Sequence, residues 1–471
     1  MADLYTAAAA LERAYTNAGY LLARVAVPRQ SILDGGQFHV VVIDGFIEQI
    51  DDAAVPRRVR RPIHATLASL VGRHRLKADL LQAKLARAGA VFGAHLRSTL
   101  ARGDTPGGAR LILDGRYSEF DGDISADNTL GPAFNHWGLS LTAQVNSPTG
   151  HGEQAYVFLS GGTRVDTDFA ANAPRRIIGG GVIVPLTSWG LQVNPEFTFS
   201  DTHPVPTNPL LASHDRLYRG TLNVTIPVPL GKPGSTTGRI TTEVVDELNT
   251  LPVFGVVLSH DRLTVLRGAL TWDGALQSTS TGLHAEGVLS EGVTWFGARG
   301  HATAASPTSR GSDPRFTKLE VTLGATQSLP YGASLMLTGR GQTSFDRVLP
   351  SSETFDLTGH TALSSYSQGA LVSDAGLTER AQLERTWIRK FGRLGLASTP
   401  YVFVSAGQAV PAAPDAFTPR RVFDYGLGLR LDTSGFPWMS APSVSLEYGH
   451  ASPDRGLAPR DYVQAVLGVQ F

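Results

Sequence analysis

The chain has 471 residues with 51 glycines, 41 basic and 41 acidic side chains, and no cysteine. The missing cysteine excludes disulfide scaffolds, thiolate metal sites and thiol nucleophiles, and the zero net charge gives no global field that would gather nucleic acid or an acidic substrate. A mean hydropathy of −0.04 with no run of about 18 apolar residues excludes membrane-spanning helices.

The N-terminus, Met1-Ala-Asp-Leu-Tyr5, lacks a basic segment followed by an apolar stretch, so no signal peptide is read there. Leu4, Ala8, Leu11 and Tyr15 recur at helical spacing and predict an amphipathic helix stopped by Asn17-Ala-Gly19. Leu21–Val27 and Phe38–Ile43 read as strands, separated by Pro28 and the turn Asp34-Gly35-Gly36. Arg57, Arg58, Arg60 and Arg61 carry much of the excess of 15 basic over 10 acidic residues in 1–114. With no aromatic platform beside them, they read as a solvated linker rather than a nucleic-acid patch. A helix is predicted over Lys77–Ala88, then strands over Val91–Leu100 and Ala109–Leu113 around the Gly/Pro loop Arg102–Gly108. The first 114 residues are therefore small α/β modules.

From about residue 115 the apolar period becomes two. Trp137, Leu139, Leu141, Ala143 and Val145 alternate with polar or small residues. So do Leu191, Val193, Phe197 and Phe199, then Phe423, Tyr425, Leu427, Leu429 and Leu431, and finally Val463, Ala465, Leu467, Val469 and Phe471. One apolar and one polar face is the mark of strands with different surroundings on their two sides. Sixteen candidate strands fit into residues 115–471, with shorter connections (Asn146–Gly152, Thr187–Trp189, Phe391–Leu394) tending to alternate with longer ones (Asp201–Asp215, Gly292–Phe316, Asp346–Leu377). A soluble sandwich, propeller or β-helix shows the same alternation. One unbroken run of strands, no repeat of 40–50 residues and an aromatic last residue on the apolar face favour a 16-stranded antiparallel membrane barrel.

Catalytic signatures are sparse. No H-E-x-x-H, G-x-S-x-G or phosphate-binding G-x-x-x-x-G-K-[ST] occurs. Gly150-His-Gly152-Glu-Gln-Ala155 is followed by β-like residues instead of the helix a dinucleotide site needs, so it reads as a turn. Asp51-Asp52 is an adjacent pair that does not converge on a substrate, and the 13 histidines are scattered. No enzyme activity, cofactor or metal is expected.

The stretch "AYTNAGYLLARVAVPRQSILDGGQFHVVVIDGFIEQI" resembles the end of the first POTRA module of two-partner-secretion transporters, the haemolysin secretion/activation (TpsB) family. Residues 52–114 resemble the second module, and 115–471 the barrel. The most distinctive block is "RFTKLEVTLGATQSLPYGASLMLTGRGQTSFDRVLPSSETFDLTGHTALSSYSQGALVSDAGL", in which Gln342, Ser352, Glu353, Phe355, Gly359, Tyr366, Gly369, Asp374 and Gly376 stand where the family pattern wants them. The resemblance implies periplasmic POTRA modules, an outer-membrane barrel and a long loop after the eleventh barrel strand that folds into the lumen. Phe471 would be the C-terminal signal read by the barrel assembly machinery.

In the family the tip of that loop carries V-R-G-[YF], and its Arg pairs with the Asp of F-x-D-x-G on the thirteenth strand. Here the tip reads Leu363-Ser364-Ser365-Tyr366 and the strand Phe403-Val-Ser405-Ala-Gly407, so Ser364 and Ser405 replace both partners. Losing one partner would leave a charge in the lumen at about 3–5 kcal/mol if buried. Losing both leaves two hydroxyls able to bond each other or water, and a loop expected inside but held more weakly. The signal peptide, plug helix and first part of the first POTRA module that family members begin with are absent from the sequence given.

The implied function is export of a large β-rich exoprotein such as a haemolysin or adhesin. The partner would be captured on a POTRA strand edge, threaded through the lumen and driven by its own folding outside, with outer-membrane lipid around the barrel and no nucleic acid. The residues singled out are Ser364, Ser365 and Tyr366 at the tip, Gly359, Gly369, Asp374 and Gly376 in the loop motif, and Phe403, Ser405 and Gly407 on the partner strand. The rivals are a passive porin or receptor barrel, an outer-membrane protein assembly factor of the same superfamily, and a decayed transporter that folds but exports nothing.

Overall fold

The computed structural model describes residues 2–30, 37–168, 170, 173–229, 234–276, 278–299, 302–303, 306–413, 420–436, 440–455 and 458–471. The predicted turn Asp34-Gly35-Gly36 lies outside them. The chain forms two compact units, one mainly 1–121 and one mainly 122–471.

The first unit opens with the helix Ala2–Asn17. Gly19 closes it at φ +88°, where its N–H reaches Thr16 O at 2.9 Å, a conformation that costs glycine no Cβ clash. Arg24–Ala26 and Val41–Ile43 pair antiparallel, shorter than the predicted strands. A complete α/β module follows: strand Phe46–Ala54, helices Arg57–Leu67 and Ala78–Gly89, and strands Ala94–Arg102 and Gly108–Tyr117. Gly108–Tyr117 is central, parallel to Phe46–Ala54 and antiparallel to Ala94–Arg102.

Two expectations change here. The strand Phe46–Ala54 runs across the 51/52 boundary drawn from sequence, so this module begins at Phe46. The arginine run is a helix rather than a linker. Val59, Ile63, Thr66 and Leu67 are buried from one face of it, and the arginines occupy the remainder. Arg60 turns back to donate to Ala53 O at 2.8 Å and Val55 O at 2.7 Å, which ties the helix start to the preceding strand. The charges concealed the four-residue spacing of Val59, Ile63 and Leu67. These side chains join Ile47, Ile50, Leu70, Leu81, Leu111 and Leu113 in one apolar core.

The second unit is a closed antiparallel barrel of sixteen strands. They are β1 (Phe120–Asp127), β2 (Gly138–Asn146), β3 (Gln154–Gly162), β4 (Arg175–Pro185), β5 (Gln192–Thr202), β6 (His214–Val228), β7 (Ser235–Leu251) and β8 (Val256–Leu276). The second half comprises β9 (Thr281–Val293), β10 (Thr317–Ser328), β11 (Ala333–Thr343), β12 (Ala375–Arg385, continued by Trp387–Phe391), β13 (Leu394–Val410), β14 (Arg421–Ser434), β15 (Ser440–Pro453) and β16 (Arg460–Gln470). Closure is made by β16 on β1, with Val466 opposite Asp127 and Gln470 opposite Asp123. Phe471 extends this seam by exchanging backbone hydrogen bonds with Gly122, 3.0 Å in each direction. Closure gives every barrel strand a neighbour on both sides, whereas an isolated hairpin of these sequences would expose its edges.

Side chains alternate in and out along each strand. On β13, Tyr401, Phe403, Ser405 and Ala409 are buried on the inner face, whereas Val402, Val404 and Val410 are exposed outside. On β14, Asp424 is buried and Phe423, Tyr425 and Leu427 are exposed. The motif Gly150–Ala155 contains the end of a tight β2–β3 turn, as predicted. Among the described residues no helix is long and apolar enough to cross a membrane.

Candidate functional site: a lumenal loop and its socket

Residues 344–374 connect β11 to β12, and their polar groups are anchored to inward-facing side chains of the barrel wall. The first anchor is Glu353, 1% exposed. Arg267 of β8 grips it through two bonds of 3.0 and 2.6 Å, and Lys318 Nζ of β10 lies 3.0 Å from its second oxygen. A buried carboxylate survives this far from water only with such paired cations and donors. Beside it lies a cavity of about 470 Å³ lined by Arg219, Arg239, Glu243, Arg267, Lys318 and Arg340 among others, so the lumen is polar there.

The second anchor is Asp374, fully buried. It accepts from Arg310 at 2.6 and 3.0 Å, from Leu349 N at 2.9 Å and from Ala412 N at 3.0 Å. Gln342 of β11 bridges the two anchors by donating to Glu353 O at 3.2 Å and Asp374 O at 2.8 Å. Thus three positions picked out by resemblance alone, Gln342, Glu353 and Asp374, are the pins that fix the two ends of the loop.

The loop middle is apolar. Phe355, Leu357, Leu363, Tyr366 and Leu371 cluster with the wall residues Ala409, Val422 and Ala451. Tyr366 is 4% exposed and its hydroxyl has no hydrogen-bond partner among the described residues, so it serves here as packing. Gly369 takes φ +75° and donates to Asp356 Oδ2 at 3.0 Å, and Gly359 takes φ +123°.

The tip is held, but not as the sequence suggested. Ser364 and Ser405 do not bond each other: Ser405 Oγ is buried without a partner among the described residues. Instead Arg380 Nη1 of β12 donates to Ser364 Oγ at 3.0 Å. Asp424 of β14 accepts from Ser365 N at 3.0 Å, Ser365 Oγ at 2.5 Å and, more weakly, Ser364 Oγ at 3.5 Å. Arg380 stands in register with Ser405, and Ser405 with Asp424, so one row across β12, β13 and β14 reads Arg–Ser–Asp. The charges are on the wall and the loop supplies neutral hydroxyls. Arg380 is itself positioned by Glu447 Oε2 at 2.8 Å and by the face of Phe403, with the guanidinium carbon 3.8 Å from the ring centroid. Tyr401 donates to the same Glu447 oxygen at 2.8 Å.

Two inward glycines make the room. A Cβ on Gly407 would stand 2.7 Å from Leu363 Cδ1, and one on Gly449 2.2 Å from Ser365 Oγ. Gly376 packs similarly under Phe355. Sequence reasoning missed Arg380, Asp424 and Glu447, which belong to strands far apart in the chain and carry no motif. Their one legible signal is that each is a charge at an inward position of an otherwise alternating strand.

Comparison with known proteins follows the same lines. The family model "Haemolysin secretion/activation protein ShlB/FhaC/HecB" matches residues 111–431, and "POTRA domain, ShlB-type" matches residues 1–45. No curated protein matches significantly. Among solved structures, CdiB from Escherichia coli is similar at a TM-score of 0.78 and 18% identity, covering 100% of this chain and 84% of that one. CdiB from Acinetobacter baumannii gives 0.68 and 13%, covering 99% and 82%. BamA from Haemophilus ducreyi lacking POTRA domains 1–3 gives 0.57 and 10%, covering 100% and 94%. These identities establish a shared fold, and the family match extends over more than half of the chain. With its sixteen-stranded barrel and anchored lumenal loop, the chain belongs to the haemolysin secretion/activation protein family, the two-partner-secretion transporters of the outer membrane.

Proposed function

We propose that this chain exports one large β-rich exoprotein, of the haemolysin or adhesin kind, by a conformational mechanism with no nucleotide and no catalytic step. The observation that carries this reading is the mode of loop attachment. Ser364 and Ser365 rest on Arg380 and Asp424 through hydrogen bonds that form and break without covalent chemistry, in a polar lumen. Hydrogen bonds to charged groups contribute about 1.5–3 kcal/mol each. An unfolded segment that offers its own donors and acceptors competes for them, displaces the tip and opens the lumen.

Capture begins on the α/β module. Ala94–Arg102 pairs with Gly108–Tyr117 on one side and, among the described residues, with no strand on the other. Such an edge accepts an added strand through main-chain hydrogen bonds without demanding a particular sequence. Folding of the exported chain outside then makes the passage one-way. Phe471 serves the barrel assembly machinery, and the outward apolar side chains face lipid. The anchoring of the tip by Arg380 and Asp424 supports a working transporter over a non-exporting remnant, because the loss of charge at Ser364 and Ser405 is compensated on the wall.

The test is a secretion assay. The chain is expressed behind a cleavable signal peptide together with a large β-rich exoprotein drawn from the same genome, and the culture medium is blotted for that protein. Export in the presence of the chain, and none in its absence, is expected. A barrel that reaches the outer membrane yet leaves the exoprotein in the periplasm would identify the remnant instead.

A further inference from the structure

A second cluster lies on the opposite face of the wall. Asp201 is the penultimate residue of β5 and is 7% exposed, His203 follows the end of that strand, and His214 begins β6. Asp201 and Arg216 are in register on the same outward face as Phe197 and Phe199, which pack on Tyr218 with the Phe199–Tyr218 ring centroids 5.1 Å apart. The cluster therefore sits one step beyond an aromatic patch, at the rim of the barrel away from the end where the chain enters.

We infer that Asp201, His203 and His214 form a binding site for one divalent transition-metal ion, with zinc the chemical fit. One ligand atom from each of the three residues lies within 4.8 Å of the others. Tetrahedral zinc with bonds of about 2.0–2.1 Å places its ligands about 3.3 Å apart, an adjustment that rotation of the side chains supplies. The two imidazoles are stacked with centroids 4.1 Å apart and planes 15° from parallel, so their edges face the same way. His203 Nδ1 lies 3.3 Å from Ala173 O, and donation to that carbonyl leaves Nε2 as the free lone pair. A backbone carbonyl on the far nitrogen is the usual second partner of a metal-binding histidine. His214 Nε2 is 2.7 Å from Asp201 Oδ1, and the ion would replace the proton between them. Arg176 holds the other oxygen, Oδ2, at 2.7 Å, fixing the carboxylate with Oδ1 turned to the histidines. Imidazole nitrogens with one carboxylate oxygen suit zinc, copper or nickel rather than calcium or magnesium. A fourth position stays open to water or to an outside ligand.

The consequence is mechanical. An ion here would tie β5 to the start of β6 and, through His203, to Ala173 in the β3–β4 connection. It would staple the rim without touching the lumenal loop.

The experiment uses the full chain without any histidine tag, in detergent, stripped with a chelator and titrated with Zn²⁺ by calorimetry and with Co²⁺ by its visible absorption. One ion per chain is expected, with affinity falling more than tenfold in His203→Gln and in His214→Gln, and unchanged in His284→Gln. His203 lies beyond the strand, so its variant keeps the barrel pairing. Zn²⁺ should also raise the unfolding temperature of the wild type and not of the double variant His203→Gln with His214→Gln. Absence of stoichiometric binding to the wild type, or equal binding by the double variant, would overturn the proposal.

Discussion

Arg380 reaches Ser364 across 3.0 Å from β12, the strand next to the one where the family pattern sets the loop's partner. The row Arg380–Ser405–Asp424 shows how a charged contact between loop and wall becomes a charged wall holding a neutral loop. Arg380 keeps its ion pair with Glu447 when the loop moves, so displacement takes hydrogen-bond partners from Asp424 but does not orphan both members of a loop–wall ion pair.

Asp424→Ala should loosen the tip without unfolding the barrel. It removes the acceptor for Ser365 N and Ser365 Oγ, at about 1.5–3 kcal/mol for each charged hydrogen bond. Single-channel recordings in planar bilayers should show larger and more frequent openings. Ser364→Ala removes one contact from Arg380 and should have a smaller effect.

Restoring the family residues singly should do harm. Ser364→Arg places a second guanidinium beside Arg380, a repulsion of about 3 kcal/mol at 5 Å in an effective dielectric near 20. Ser405→Asp sets a carboxylate directly opposite Asp424. The double variant should recover part of the loss, with a coupling of about 1–3 kcal/mol in a cycle read from the temperature at which the folded gel mobility disappears. Additive losses would show that the two positions do not meet.

The glycine at 449 should be intolerant of a side chain. A Cβ there would come within 2.2 Å of Ser365 Oγ, so Gly449→Ala pushes out the tip at a cost of about 1–3 kcal/mol. Protease cleavage within 359–369 should accelerate in this variant and not in Gly287→Ala, where a Cβ meets open space.

Arg267→Ala should be more disruptive than any tip variant. It leaves Glu353, 1% exposed, with Lys318 as its sole remaining ion-pair partner among the described residues, and one-sided loss of a buried pair costs about 3–5 kcal/mol. Arg267→Ala with Glu353→Gln should recover stability in the same gel-mobility measurement.

Acid should act on the α/β module at Glu48. Backbone N–H groups of Thr105, at 3.2 Å, and Asp104, at 2.9 Å, hold its carboxyl below the ordinary glutamate range. The lowered folded value means that the stabilisation is full above the unfolded value of about 4.3 and is lost as pH falls through the folded one. A carbon-13 carboxyl titration of the full chain should place Glu48 below the exposed glutamates, with Glu48→Gln identifying the resonance. A midpoint at or above the ordinary value would contradict the turn geometry around Thr105.

Period-two alternation over residues 115–471 marked the strands, because a strand between two different surroundings must write both faces into its sequence, and the unbroken run of strands, the missing repeat and the aromatic last residue turned that pattern into a barrel. The block from Gln342 to Gly376 pointed to the loop through its resemblance to the family, and Gln342, Glu353 and Asp374 stand in that block, but the contacts by which they pin the loop came from the structure. The helix Arg57–Leu67 was hidden, because a surface rich in arginine obscured the spacing of Val59, Ile63 and Leu67. The tip contact was beyond the reach of the sequence for a different reason. Arg380, Ser405 and Asp424 become neighbours only through the registers of β12, β13 and β14, and a shift of one residue in either pairing would turn a charge to the outside. Asp201, His203 and His214 meet in the same way, across the β5–β6 pair. Sequence alone determined which residues face inward; register, set by closure of the whole barrel, decided which of them touch.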